Sequence, residues 1–408
     1  MAESVTGGLV EAELPVERGC PFAAPDEYAR LREQAPVTKV RLAAGDEVWW
    51  VSGHEEGRAI LADRRFSSDR RRDGFPVFDP DPATRKRFRT QPPTMLSMDG
   101  AEHSAARRAV IGEFTMKRLN AMRPRIQQIV DGFIDEMLAA EEHPVDLVQA
   151  LSLPVPSLVI CELLGAPYAD HDFFQSRTAK AIRRSLPSKV RQQAFDELRA
   201  YMDDLMTRKE SEPGDDLFSR QIARQQAEGT LDHESLVSMA FLLLIAGHET
   251  TANMISLGVV GLLDRPDQLA LIRNDPGKTP MAVEELLRYF SIADLVTSRV
   301  ATEDVRIGGV TIHAGDGVVV SGLSADRDPE VFANPGDLDV ERGARHHVAF
   351  GFGPHQCLGQ NLARMELQIV YDTLFRRIPT LRLAVPVDDV PFKTDAGLYG
   401  VYRLPVTW

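Results

Sequence analysis

The sequence is poor in cysteine: only Cys20, Cys161 and Cys357 occur in 408 residues, widely separated and odd in number. Such a set excludes a disulfide framework and leaves room for one cysteine with special chemistry. Positive charge is also short. Lys and Arg number 47 against 60 Asp and Glu, a net charge of −13, so a nucleic acid or an anionic membrane would be repelled unless a strong local basic patch opposed the overall field. Neither partner is expected. The segment Met1 to Arg18 lacks the basic start and apolar run of a secretory signal or anchor, and no apolar stretch of transmembrane length is expected elsewhere, which points to the cytoplasm. Internal repeats, low-complexity tracts and linkers are lacking too, so one large body, 1–408, is expected.

What is present reads as mainly α with small β sheets. Val37 to Leu42 and Glu47 to Ser52 read as two short strands around a turn at Ala44 to Asp46. Arg70 to Met98, with five prolines and no sustained period, reads as a long surface loop. Helical periodicity marks Glu102 to Phe114, Met122 to Ala140, Pro154 to Leu164, Lys189 to Lys209, His233 to Leu263, Pro280 to Phe290 and Asn361 to Arg377. Short strands return from Val305 to Ser321 and from Leu381 to the end. The helix holding Phe241 to Gly261 is apolar nearly all round, which a buried helix explains. One polar island interrupts it, Gly247-His248-Glu249-Thr250-Thr251.

Cys357 ends the run Phe350-Gly351-Phe352-Gly353-Pro354-His355-Gln356-Cys357-Leu358-Gly359, just before a helical pattern. Glycines and a proline favour a tight irregular backbone there, and amides at a helix start can stabilise a thiolate. A thiolate is one of the few protein ligands for haem iron, and it favours O–O cleavage. A lone cysteine beside a glycine-rich turn is more often core than ligand. The whole decapeptide decides otherwise: it resembles, at every specified position, the haem-binding loop F-x-x-G-x-[RH]-x-C-x-G of the cytochromes P-450. The resemblance implies the mainly α fold of that family in a single haem domain, and one haem b (iron protoporphyrin IX). Cys357 would be the metal ligand, Phe350 would pack near its sulfur, His355 would contact a haem propionate, and Gly359 would also lie against the cofactor.

In the polar island, Thr250 can hydrogen-bond back to Ala246, and with Gly247 between them a local opening of the helix is expected. The opened turn would offer a hydroxyl, with Glu249 as an acid linked to solvent; a satisfied structural network is the equal alternative. Ala246-Gly247-His248-Glu249-Thr250 resembles the family's oxygen-activation motif [AG]-G-x-[DE]-T. That implies catalytic roles for Glu249 and Thr250, haem contact for Ala246, and delivery of protons before the O–O bond breaks. Glu285-Leu286-Leu287-Arg288 is similar to the family's E-x-x-R pair. Spacing of three puts both side chains on one helix face, and the resemblance implies a structural role with Arg342 as a possible third member. His103 and Arg107, four apart, resemble an H-x-x-x-R propionate clamp, and Arg299 matches another propionate contact; two buried carboxylates need such cations. Cys20 and Cys161 read as bystanders.

The resemblance covers about Pro21 to Trp408 and is closest to soluble actinomycete enzymes. It implies a monomeric monooxygenase that hydroxylates a large lipophilic small molecule such as a macrolide, steroid or other polycycle. Electrons would come from NAD(P)H through a ferredoxin reductase and a ferredoxin. Substrate contacts would come from segments including Phe75 to Met98 and Ile292 to Val296, with Phe75, Phe78, Leu243, Leu244, Ile292, Leu295 and Val296 forming an apolar pocket. Two rivals share the haem: a gas or ligand sensor without turnover, for which a proton relay is superfluous, and a peroxide-driven oxygenase, which would sooner lack the Thr.

Overall fold

The computed structural model describes residues 9–408; Met1 to Gly8, part of the segment expected to lack a signal, lie outside the described residues. Contacts divide the chain into two units, one from the N-terminal stretch up to Ser104 plus Glu284–Cys357, the other Ala105–Val283 plus Leu358–Trp408.

The first unit is organised by a sheet whose strands lie in the order Val10–Leu14, Val37–Leu42, Glu47–Val51, Gly317–Val320, Ser298–Ala301, Phe66–Ser67. The expected hairpin is there, with Thr38 opposite Trp50 and Lys39 opposite Trp49. Glu47–Val51 then pairs in parallel with Gly317–Val320. Side chains alternate across a strand, and here both faces are covered. Val48, Trp50 and Val319 join Tyr28 and Leu31 of the helix Asp26–Gln34 in one cluster. Trp49, Val51, Val318 and Val320 join Ile60 and Leu61 of the helix His54–Ala62 in another. That two-sided burial is why Val48-Trp49-Trp50-Val51 shows no apolar–polar alternation.

The second unit is helical. His233–Leu263 runs through its core, packed on the helices Pro154–Leu164, Ser188–Ser211 and Gln360–Arg377. Asp232 caps it by accepting from the Ser235 amide at 3.1 Å. Two glycines allow neighbours to close in: a Cβ on Gly258 would lie 1.9 Å from the Tyr371 hydroxyl, and one on Gly247 2.6 Å from Ile160 Cδ1. Tyr371 uses that space to donate its hydroxyl proton to the Met254 carbonyl at 2.6 Å. A small sheet of Arg382–Leu383, Pro405–Thr407 and Val145–Asp146 completes the unit.

Several expectations are corrected. Arg70 to Met98 is not all loop: Pro82–Thr90 is a helix, begun by Pro82 at its first turn and by Asp81 accepting from the Thr84 amide at 3.1 Å. The helix expected from Met122 starts at Met116 and carries Pro124 inside it. The helix His171–Ile182 is not among those expected. Contrary to the expected lack of a membrane-length apolar stretch, His233–Leu263 is long and apolar enough to cross a membrane by length and composition. Its apolar surface is instead covered by neighbouring helices, so a core role explains it.

Candidate active site

Of the residues expected around the cofactor carboxylates, His103, Arg299 and His355 fall together in the first unit, while Arg107 belongs to the second. Gly351 and Gly353 take φ values of 68° and 72°, left-handed conformations that favour glycine. At Gly353 a Cβ would also lie 2.5 Å from the Leu61 carbonyl oxygen, so two constraints fix that residue. The turn Gly353–His355 then brings the Cys357 amide back to the Phe350 carbonyl at 2.9 Å and leaves Cys357 exposed. His355 Nε2 shares a hydrogen bond with Ser68 Oγ at 3.1 Å, and its ring lies 4.1 Å from that of His103. Ser68 donates its amide to Asp99 Oδ1 at 2.9 Å, and Ser67 Oγ bonds the other oxygen of Asp99.

Arg299 carries the clearest signal. It is 6% exposed, and its guanidinium donates to the carbonyl of its own neighbour Ser298 at 2.8 Å. No carboxylate salt bridge to it occurs among the described residues. Burial pulls its pKa down to about 10, opposed only by the charge of Asp99. A buried cation without a bonded anion is costly. An exposed thiol, a buried arginine wanting an anion and two adjacent histidines fit a haem: a thiolate for the iron, cations for the propionates. Arg107 lies one turn beyond His103 on the helix Gly100–Val110 and is half-buried, as is Phe350.

Deeper in the same unit, Glu285 and Arg288 are both fully buried and joined by two hydrogen bonds of 2.7 Å each. Arg342 Nε adds a third at 3.1 Å, as its expected membership requires. Arg288 spends its remaining donors on the carbonyls of Asp326, Pro335 and Asp337, at 2.8, 2.9 and 3.1 Å. The pair therefore ties three loop carbonyls to one helix.

In the second unit, Thr250 Oγ1 donates to the Ala246 carbonyl at 2.7 Å, the back-bond read from the sequence. The expected opening does not occur: the helix is continuous from His233 to Leu263, and Gly247 serves the close approach of Ile160. Ala246 is nonetheless exposed on a helix that is elsewhere mostly buried. His248 is buried, with Nδ1 on the Leu244 carbonyl at 2.7 Å and its ring edge-on to Phe174; burial lowers its pKa.

Glu249 departs from expectation. Rather than an acid linked to solvent, it is 3% exposed, and Oε1 accepts from Lys393 Nζ at 2.7 Å. Burial alone would raise its pKa, but the charge of Lys393 and the hydrogen bonds of Lys393 and Asn253 outweigh it and leave the carboxyl below its usual range. A buried carboxylate needs a cation, and sequence reasoning missed which one. The available signal was a lone lysine inside the apolar Val390-Pro391-Phe392-Lys393. Of the expected pocket residues, Leu244 is fully buried in the protein and so removed from any lining, and Phe78 and Leu295 pack partly on the sheet core. Phe75, Leu243 and Ile292 are buried, and Val296 is 62% exposed. Cys161 is buried, which pushes its thiol up to about 12 and leaves it inert; Cys20 is exposed.

A model of the cytochrome P450 family matches residues 45–275 and 278–396. Pentalenic acid synthase of Streptomyces avermitilis is 50% identical over 411 residues, covering 100% of both chains. Vitamin D3 dihydroxylase of Streptomyces griseolus is 49% identical, covering 97% of this chain and 96% of that one. The crystal structure of cytochrome P450 MoxA from Nonomuraea recticatena is 74% identical and superposes with a TM-score of 0.91 over 97% of this chain and 98% of that one. With the thiol loop, the buried arginine and the Glu285–Arg288 lock already in place, these likenesses leave one conclusion: the chain belongs to the cytochrome P450 family, a haem-dependent monooxygenase of the actinomycete type.

Proposed function

We propose that this chain is a haem b monooxygenase, one 1–408 domain acting as a cytoplasmic monomer, that hydroxylates a large lipophilic small molecule with electrons from NAD(P)H passed through a ferredoxin reductase and a ferredoxin. The observation that carries it is the exposed Cys357 at the end of a backbone turn fixed by Gly351 and Gly353. When bound, the haem supplies the oxygen chemistry, by which one atom of dioxygen enters a C–H bond and the other leaves as water. Cys357 would be its thiolate ligand. By the family likeness Arg299, His103, Arg107 and His355 would neutralise the propionates, and Phe350, Ala246 and Gly359 would pack against the cofactor. Thr250 keeps a proton on Oγ1, parked on Ala246, and Glu249 is the acid that resupplies it. The relatives' names, pentalenic acid synthase and vitamin D3 dihydroxylase, support a lipophilic substrate.

The test is spectral. Reduced protein under carbon monoxide is expected to absorb at the long wavelength typical of thiolate-ligated haem, and Cys357→His is expected to abolish that band. A variant that kept both the band and the hydroxylase activity would overturn the assignment.

A further inference from the structure

Glu249 makes its hydrogen bonds through one oxygen. Oε1 accepts from Lys393 Nζ at 2.7 Å and lies 3.4 Å from Asn253 Nδ2, while Lys393 Nζ also donates to Asn253 Oδ1 at 2.8 Å. Among the described residues Oε2 takes no hydrogen bond. The three side chains thus form a closed triangle that anchors one carboxylate oxygen and leaves the other for exchange. The triangle is held from outside the helix. Lys393 donates its backbone amide to the Gly400 carbonyl at 2.8 Å, Phe392 bridges to Val401, and a Cβ on Gly400 would lie 2.2 Å from Asn253 Oδ1. The segment from Phe392 to Tyr402 therefore presses directly on Asn253. Beyond the triangle, the Tyr402 ring lies 5.7 Å from Lys393 Nζ, and its hydroxyl bonds Asp395, which also pairs with the exposed Arg183 at 2.9 Å.

We propose that Lys393 is the positioning residue for Glu249: its ammonium pins Oε1 and keeps the carboxylate an anion, so that Oε2 is the oxygen that takes up and passes on each proton. This deepens, and rests on, the reading of Glu249 as the acid behind Thr250. The ionisable groups facing Glu249 are Lys393 and Tyr402 from the C-terminal segment and His248 on its own helix. His248 is held neutral by burial, and Tyr402 is pushed up to about 12, burial being the largest cause, so neither offers a standing positive charge at neutral pH. Lys393 alone does, as a point charge on a flexible stem that can loosen without dismantling a fork of bonds.

Without Lys393, burial, the largest influence on Glu249, is opposed by no standing positive charge beside it and favours its neutral form. In Lys393→Met the resting haem protein is expected to show, at about pH 7, one protonated-carboxyl infrared band more than wild type, and this extra band should disappear in the double variant with Glu249→Gln. Lys393→Gln, which keeps a donor but no charge, should show the band too; Lys393→Arg should not. Across a pH series, product formed per NAD(P)H consumed should change with pH in Lys393→Met, stay flat in wild type, and be restored by Lys393→Arg. If neither Met nor Gln produces the band, the positioning role is overturned; if Met fails to fold, Gln decides. Separately, if Glu249→Gln leaves coupling unchanged, the reading of Glu249 as the acid falls, whatever the infrared result.

Discussion

Two buried carboxylates show how differently one chain can hold a negative charge. Glu285 in the first unit is gripped by a two-pronged arginine three residues along its own helix and by Arg342, and Arg288 in turn satisfies three loop carbonyls. Glu249 in the second unit meets one ammonium from 144 residues away, through one oxygen. The first arrangement cannot loosen without leaving buried donors, acceptors and charge unsatisfied. The second can give up one contact and answer by taking a proton. A rigid lock suits a structural part, and a single releasable contact suits a group that must change its protonation state.

The largest expected effect comes from breaking the lock. Arg288→Ala strips Glu285 of its two-pronged partner, leaving it Arg342, and takes a donor from three carbonyls, at a cost of about 3–5 kcal/mol for the broken buried pair. Denaturant unfolding should show that loss, with little haem incorporated. Arg288→Lys should recover only part of it, because an ammonium cannot reproduce the planar fork. A stable, fully loaded Arg288→Ala protein would erase the distinction between the two sites.

An intermediate effect is expected at the loose site. Thr250→Ala should load haem and unfold like wild type, yet divert NAD(P)H to peroxide, with a several-fold fall in product per electron pair. Unchanged coupling together with a clear loss of stability would show that the polar island is structural, like Glu285–Arg288.

Glu366 extends the comparison to a carboxyl with no cation partner among the described residues, and it should give the smallest effect. It is buried in the helix Gln360–Arg377 with Oε2 lacking a hydrogen-bond partner, and burial pushes its pKa up to about 8 from 4.5. Because the folded value lies above the unfolded one, its stabilising contribution is whole below the unfolded pKa and is lost as pH rises through the folded value. Glu366→Gln should therefore raise Tm more on the alkaline side of that window than on the acid side. Equal shifts at both ends would show that Glu366 ionises normally.

What could be read in the sequence follows the same division. The cysteine loop and Glu285–Arg288 are contiguous or one helical turn apart, so spacing alone places their members together. The Thr250 back-bond is equally local. Lys393 could be noticed as a lone lysine in an apolar run but not paired with Glu249, because its partner is brought to it only by tertiary packing. The helix Pro82–Thr90 was missed because six of its nine residues are charged or polar and it carries little apolar periodicity, although Asp81-Pro82 announced it. The continuous helix at Gly247 shows a glycine used for close packing where sequence reasoning expected an opening.

The account stands on one reaction: oxygen from dioxygen, driven by electrons from a donor, inserted into a lipophilic compound. A compound selected by its shift of the Soret band should be turned over with NAD(P)H, ferredoxin reductase and ferredoxin under isotopically heavy dioxygen in ordinary water, and the product weighed by mass spectrometry. The account predicts one heavy oxygen atom per product molecule and none from heavy water. Tight binding without product, or product formed from added peroxide but not from dioxygen and the electron donors, would contradict it.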